Sequence, residues 1–363
     1  MDFFKILRNR LLGVLTVGIT ILLTASAQSQ TTNAPTIDLL LLEARADAEF
    51  TAGQQDPMWG MHGRYFNLKM GGQLSNKVGY FFRQRLRADA GSINFFDNTD
   101  FLYINYQASP QWRFRFGKDA MAVGGYEYDA PPIDEYMVSE YWNNIYCFQL
   151  AGSVAYTTPG GQHTFVAQVS QSPYINSLGL AWNAGLLAYN IEWMGSIGKH
   201  VSTLWSTSMI ERARYRTVGT YMNLTMLGTH VQFDKWDAYL DLMHHALTAD
   251  DWGNNLGYVA RFNWRCASQW TLFFKSSFER NSSQVEYDSP VWIDQMVPAH
   301  SSFTKNGIGL EFKPQKVVGI RLHAYAGLQS CFDHQTSTSE YSIMANAGLT
   351  WTMDFSNLIN KHQ

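Results

Sequence analysis

Arginine at every second position is the feature of this 363-residue chain with the clearest chemical meaning. Arg83, Arg85 and Arg87 alternate with Gln84 and Leu86, and Arg113 and Arg115 flank Phe114. In an extended strand the side chains at i and i+2 stand on one face. The two arginine rows fall two strands apart, which at about 4.8 Å per strand separates them by roughly 10 Å on one wall. Five guanidinium groups so placed form a basic stripe that lowers the cost of bringing an anion into a narrow aqueous bore. The same arginines could instead pair with carboxylates, Asp47 and Glu49 among them, and brace the wall. Both readings stand, and different members of the row can serve each. Arg261, Arg265, and Arg321 with His323, add sparser charge of the same kind.

The acidic counterpart is a single segment. MAVGGYEYDAPPIDEYMVSEYW, from Met121 to Trp142, carries Glu127, Asp129, Asp134, Glu135 and Glu140 and no basic residue. At about 3.4 Å per extended residue it is long enough to fold into a pore and return. Gly124-Gly125 and Pro131-Pro132 supply the sharp turns, with Tyr126 and Tyr128 on either side of Glu127. Folded against a basic wall, this acidic loop would set a transverse field across an eyelet, ordering water and slowing apolar solutes. The alternative is an external loop packed over a subunit contact.

Other chemistries find little support. There is no G-x-S-x-G elbow, no H-E-x-x-H and no phosphate-cradling glycine loop, so no catalytic residue and no cofactor is expected. His244 and His245 are neighbours, which in a strand point to opposite faces and make a poor metal pair. Asn281 to Ser302 carries Glu286, Asp288 and Asp294, which fit a solvated charge run better than a calcium site. Cys147, Cys266 and Cys331 lie far apart, in no disulfide or redox pattern. With 27 basic and 30 acidic residues the net charge is −3, which argues against a nucleic-acid partner.

The elements that must hold these residues are strands. Only 16% of residues are charged, against 46% hydrophobic and 15% aromatic, a low charge content for a water-soluble domain. Residues 1–27 read as a signal peptide: Lys5, Arg8 and Arg10 precede the apolar stretch Leu11 to Leu23, and Ala25-Ser26-Ala27 follows as the cleavage site. Beyond it, no apolar run approaches the roughly 18 residues of a spanning helix. Period-2 alternation appears instead. Leu40, Leu42, Ala44, Ala46, Ala48 and Phe50 alternate with Glu43, Arg45, Asp47 and Glu49; Trp112, Phe114 and Phe116 alternate with Arg113 and Arg115.

The pattern predicts sixteen strands, over 38–50, 62–73, 76–89, 98–108, 110–120, 143–158, 161–172, 180–194, 199–212, 217–234, 236–247, 253–266, 268–280, 303–314, 317–332 and 340–354. Short turns such as Pro159-Gly160 and Gly195 to Gly198 alternate with longer loops. That is the signature of an all-β transmembrane up-and-down antiparallel barrel of about 16 strands, occupying residues 28–363 as one domain. In hydrocarbon every backbone N–H and C=O must be paired, so a spanning sheet must close on itself. The apolar row then faces lipid and the polar row a wet interior, whereas a secreted sandwich would show more charge outside.

The runs Gly63-Arg64-Tyr65-Phe66, Phe82-Arg83-Gln84-Arg85-Leu86, Phe116-Gly117-Lys118, Gly124-Gly125-Tyr126-Glu127-Tyr128-Asp129, Ala130-Pro131-Pro132-Ile133-Asp134 and Ser139-Glu140-Tyr141-Trp142-Asn143-Asn144 resemble the phosphate-selective porin O and P family of Bacteroides-type outer-membrane porins. The resemblance implies a homotrimer of sixteen-stranded barrels with an arginine-lined lumen and an inward-folded third extracellular loop. It carries the family's anion-binding arginines to Arg83, Arg85, Arg113 and Arg115 and its constriction lysine to Lys118. The strongly acidic third loop and the eight residues after Phe355 depart from the family pattern. The function expected is passive diffusion of small polar solutes across the bacterial outer membrane, with anions such as phosphate favoured. The alternative is a plugged barrel serving as a scaffold subunit without significant conductance.

Overall fold

The computed structural model describes residues 35–53, 56–86, 96, 98–145, 147–177, 185–212, 221–246, 253–282 and 297–356. The expected signal peptide, Arg87 and the acidic residues Glu286, Asp288 and Asp294 lie outside these. Among the described residues sixteen strands follow in order: β1 (Leu39–Gly53), β2 (Met58–Ser75), β3 (Val78–Arg85), β4 (Thr99–Gln107), β5 (Trp112–Ala120), β6 (Phe148–Thr157), β7 (His163–Gln171), β8 (Leu187–Ile197), β9 (Val201–Glu211), β10 (Tyr221–Gln232), β11 (Trp236–Ala246), β12 (Asn255–Ala267), β13 (Trp270–Asn281), β14 (Ser301–Phe312), β15 (Ile320–Asp333) and β16 (Thr338–Asp354). Each pairs antiparallel with the next, and β1 pairs with β16, so the sheet closes and leaves no edge. Both the N-terminal end of β1 and the C-terminal end of β16 lie at the short-turn rim, where Leu41 faces Asp354 and Lys69.

All sixteen expected strands are present, with boundaries displaced by several residues in β1, β2, β3, β6 and β8, two of which have a clear local cause. The sixth begins at Phe148 rather than 143, because Glu140–Asn144 forms a short helix whose first turn is capped by Ser139: its Oγ accepts from the Trp142 amide at 3.1 Å. The eighth runs on to Ile197, and the chain reverses at Gly198, which takes φ +67, while Gly195 stays paired with His163 and Thr203.

Alternation decides which way each row points. On β5 Trp112, Phe114 and Phe116 are exposed on the outside while Arg113 and Arg115 turn inward; on β16 Tyr341, Ile343, Leu349 and Trp351 are exposed outside, with Asn346 and Thr350 buried inside. The interior itself departs from expectation. Part of it is dry. On β9, β10 and β12 the inward-facing Ile210, Met222, Leu224, Met226 and Val259 are at most 1% exposed, beside polar inward residues such as Asn190, Ser208 and Asp241. They pack against Met121, Val123, Tyr141 and Ile145 of the β5–β6 connection, which builds a hydrophobic core inside the barrel.

Candidate pore and constriction loop

The β5–β6 connection leaves one wall and docks on the opposite one. Val123 meets β9, where the Ser206 hydroxyl donates to its carbonyl, and Gly125 N–H reaches Leu204 O at 3.4 Å. Gly124 and Gly125 make this turn with φ +71 and +88, and a Cβ on Gly124 would stand 2.7 Å from Ser206 Oγ. A short helix, Tyr126–Asp129, then presents its first amides to β11: Tyr126 N–H and Glu127 N–H donate to the two oxygens of Asp241 at 2.9 and 2.8 Å. The second helix repeats the device, with Glu140 and Tyr141 amides donating to the Glu279 carboxylate on β13 at 2.8 and 2.6 Å. In a ring of sixteen strands β13 stands opposite β5, and the contacts on Ser206 and Asp241 fall at mid-strand. The segment therefore crosses inside the barrel.

Four of its five acids are used in that docking. Glu127 and Glu135 both reach the buried Lys275 ammonium, at 2.7 and 2.6 Å, and Glu127 also accepts from the Ser139 amide and hydroxyl. Glu135 further meets Arg261 at 3.2 Å, Glu140 meets Lys305 at 2.7 Å, and Asp134 pairs with Arg321. Arg45 on β1 donates to Glu135 O at 2.8 Å and lies 4.7 Å from the Tyr136 ring centre, while its guanidinium pairs with Asp47, as does His323 at 3.1 Å. Tyr126 stands over β9–β11 with its hydroxyl on Ser202 Oγ at 2.9 Å.

Between the loop and β3–β9 an open cavity of about 510 Å³ remains. Arg83, Arg85, Arg113 and Arg115 line its barrel side. A β-bulge supplies their main counter-charge: Arg83 pairs with Phe101 and Gln84 with Thr99, leaving Asp100 as the extra residue. Turned to the inner face, its carboxylate receives Arg83 Nε at 2.9 Å and Arg85 Nε at 2.8 Å. Arg115 pairs with Asp119 at 2.8 Å, while Arg113 makes no salt bridge among the described residues. Opposite, Asp129 of the loop and Glu192 of β8 face the cavity. Desolvation inside the lumen pushes the Asp129 carboxyl above its ordinary range, although the side chain keeps open surface.

The structure thus brings Arg83, Arg85, Arg113 and Arg115 together, with Gly124, Tyr128 and Asp129 across from them. Lys118 stands apart. It lies on the outward-facing parity of β5 and its ammonium donates to Phe96 O at 2.7 Å. Glu127, Asp134 and Glu135 belong to the loop's attachment rather than to the cavity lining. Sequence reasoning did not single out Asp100, Glu192, Asp241, Lys275, Glu279 or Lys305. Asp241 and Lys275 carried a usable signal, as isolated charges inside apolar runs.

A closed sixteen-stranded antiparallel barrel with a docked internal loop and an open, arginine-lined cavity defines a channel of the outer-membrane porin class. The family model for phosphate-selective porin O and P matches residues 42–253, more than half of the chain, and the chain belongs to that family. It is a passive channel of the bacterial outer membrane. Comparison with curated proteins gives no match. Solved structures share the fold at low identity. The outer membrane channel DcaP of Acinetobacter baumannii aligns with TM-score 0.63 at 11% identity, over 86% of this chain and 96% of that one. The anion-selective porin from Comamonas acidovorans gives 0.60 at 12%, over 88% and 100%. The trimer form of OmpT from Vibrio cholerae gives 0.54 at 12%, over 88% and 100%.

Proposed function

We propose that the chain forms a lipid-embedded homotrimer whose protomers each pass small polar solutes, anions in preference to cations, along Arg83, Arg85, Arg113 and Arg115. The observation that carries this reading is the uneven disposal of charge. The loop's acids, Asp129 excepted, are taken up by cations on β12–β15, whereas Arg83 and Arg85 share one carboxylate and Arg113 has no salt bridge among the described residues. The cavity's barrel wall therefore keeps positive charge, and an anion entering it exchanges water for guanidinium donors. The neighbour from Comamonas acidovorans, described as an anion-selective porin, agrees with this reading.

Lipid and subunit contacts divide the outer surface. Leu240, Leu242, Leu256, Phe262, Phe274 and Ile308 form a bulky apolar band on β11–β14, suited to acyl chains. Around the β15–β16–β1 seam the mid-strand outward positions are instead alanines, a flat patch suited to another barrel and framed by Leu322, Leu328, Ile343 and Leu349. The competing reading, a plugged scaffold, draws on the hydrophobic core that the loop builds inside the lumen.

Planar-bilayer recording in a salt gradient tests the proposal. A steady conductance with an anion-side reversal potential is expected, and Arg113→Ala should move that potential toward cations. An unchanged potential in the variant refutes the arginine path, and absence of conductance in the purified trimer favours the scaffold.

A further inference from the structure

The wall that holds the arginines is also lined with rings. On β3, β4 and β5 three neighbouring rows face the cavity side by side: Arg83 and Arg85, then Phe101 and Tyr103, then Arg113 and Arg115. The guanidinium of Arg83 lies 4.5 Å from the Phe101 centroid and 5.0 Å from that of Phe148, and Arg115 lies 4.2 Å from Tyr103. Phe101 in turn meets Phe148 edge-on at 5.1 Å. The loop answers with Tyr128 and Trp142 on the facing side. An inorganic anion uses only charge and hydrogen bonds, and the exposed ring surface beside Arg83, Arg85 and Arg115 makes no direct contact that it could exploit. A cavity of about 510 Å³ lined by Phe101, Tyr103, Tyr128, Trp142 and Phe148 as well as by charged groups lies instead in the size range of small-molecule sites.

Resting on the reading of this cavity as the anion path, we infer that its preferred solutes are aromatic carboxylates. Their carboxylate meets the arginine edges while the ring lies against the aromatic rows. Aromatic contacts are directional and exceed the worth of their buried area, so size and charge alone do not reproduce them. Guanidinium groups already stacked on wall rings are fixed in orientation, which lowers the ordering cost of binding a carboxylate.

The probe pair is benzoate and cyclohexanecarboxylate, equal in charge and close in size, with acetate as the small reference, each measured against chloride in bilayers of the trimer. Benzoate should permeate or block chloride current at concentrations about three- to tenfold lower than cyclohexanecarboxylate, the range that one aromatic contact supplies. Phe101→Leu and Tyr103→Leu should each reduce that ratio, which is taken within one channel and so is independent of its overall conductance. If chloride shows no preference over potassium, the anion reading of the previous subsection fails. If chloride is preferred but benzoate and cyclohexanecarboxylate are equal, only the aromatic inference falls. A ratio that survives both substitutions overturns it as well.

Discussion

Asp129 is the residue whose titration the cavity should report. It is the one loop carboxylate that faces the arginine wall, and desolvation inside the lumen without a compensating cation favours its neutral form. A raised value means that protonation comes earlier as pH falls than for an exposed aspartate near about 3.9. Above that step the carboxylate attracts cations and offsets part of the field of Arg113 and Arg115; below it the offset is gone. Anion preference should therefore increase on acidification, with a midpoint above the ordinary aspartate range, and reversal potentials recorded from neutral pH downward follow it. Asp129→Asn should show the acid-side preference already at neutral pH and lose the step. A midpoint unmoved by that substitution would assign the titration to another group, with Glu192 the nearest candidate in the same cavity.

At the scale of elements the loop behaves as an attached strap. Its attachment is concentrated on Lys275, fully enclosed between Glu127 and Glu135. Removing one partner of a buried ionic cluster costs about 3–5 kcal/mol, because the remaining charges stay desolvated. Lys275→Met should thus release the loop before it disturbs the strands, whose ladders are independent of it. The expected result is larger, noisier single-channel current and new protease cleavage between residues 121 and 147, with the folded barrel still resistant. A quiet channel of unchanged conductance would mean that Asp241 and Glu279, through their four amide bonds, suffice to hold the loop.

The strands themselves were legible because the outward row must be apolar, whatever the inward row does. The inward row was not. On β10 both parities carry apolar side chains, Met222, Leu224 and Met226 on one and Leu227 and Val231 on the other, so alternation cannot say which side is dry. The answer comes from a segment about a hundred residues earlier in sequence that folds onto it. Likewise, period 2 placed the arginines on one wall, but the bulge at Asp100 that neutralises part of their charge breaks that period by one residue. The acidity of the loop was plain, while its four counter-cations are scattered over β12, β13, β14 and β15 and meet only through closure of the barrel.

The whole molecule presents two unlike outer faces, and their difference bears on assembly. On β1, β15 and β16 the outward positions include Ala44, Ala46, Ala48, Ala324, Ala326, Ala345 and Ala347, and they adjoin across strands: Ala48 faces Ala347, Ala347 faces Ala324, and Ala345 faces Ala326. Alanine gives acyl chains little area to cover, so this face gains little from lipid compared with the Leu and Phe band on β11–β14. It does let a second sheet approach closely, and a heterologous contact of this kind closes into a ring when the rotation fits. Ala347→Trp places a large apolar side chain at the centre of the patch, one that lipid tolerates and a flat protein contact does not. Trimers on unheated gels should give way to monomers, while the monomer keeps the heat-modifiable mobility of a folded barrel. Ile191→Trp, at an exposed position on β8, serves as the matched control and should leave trimers intact. Trimers that withstand Ala347→Trp, or that are lost equally in the control, would place the subunit contact on another face of the barrel.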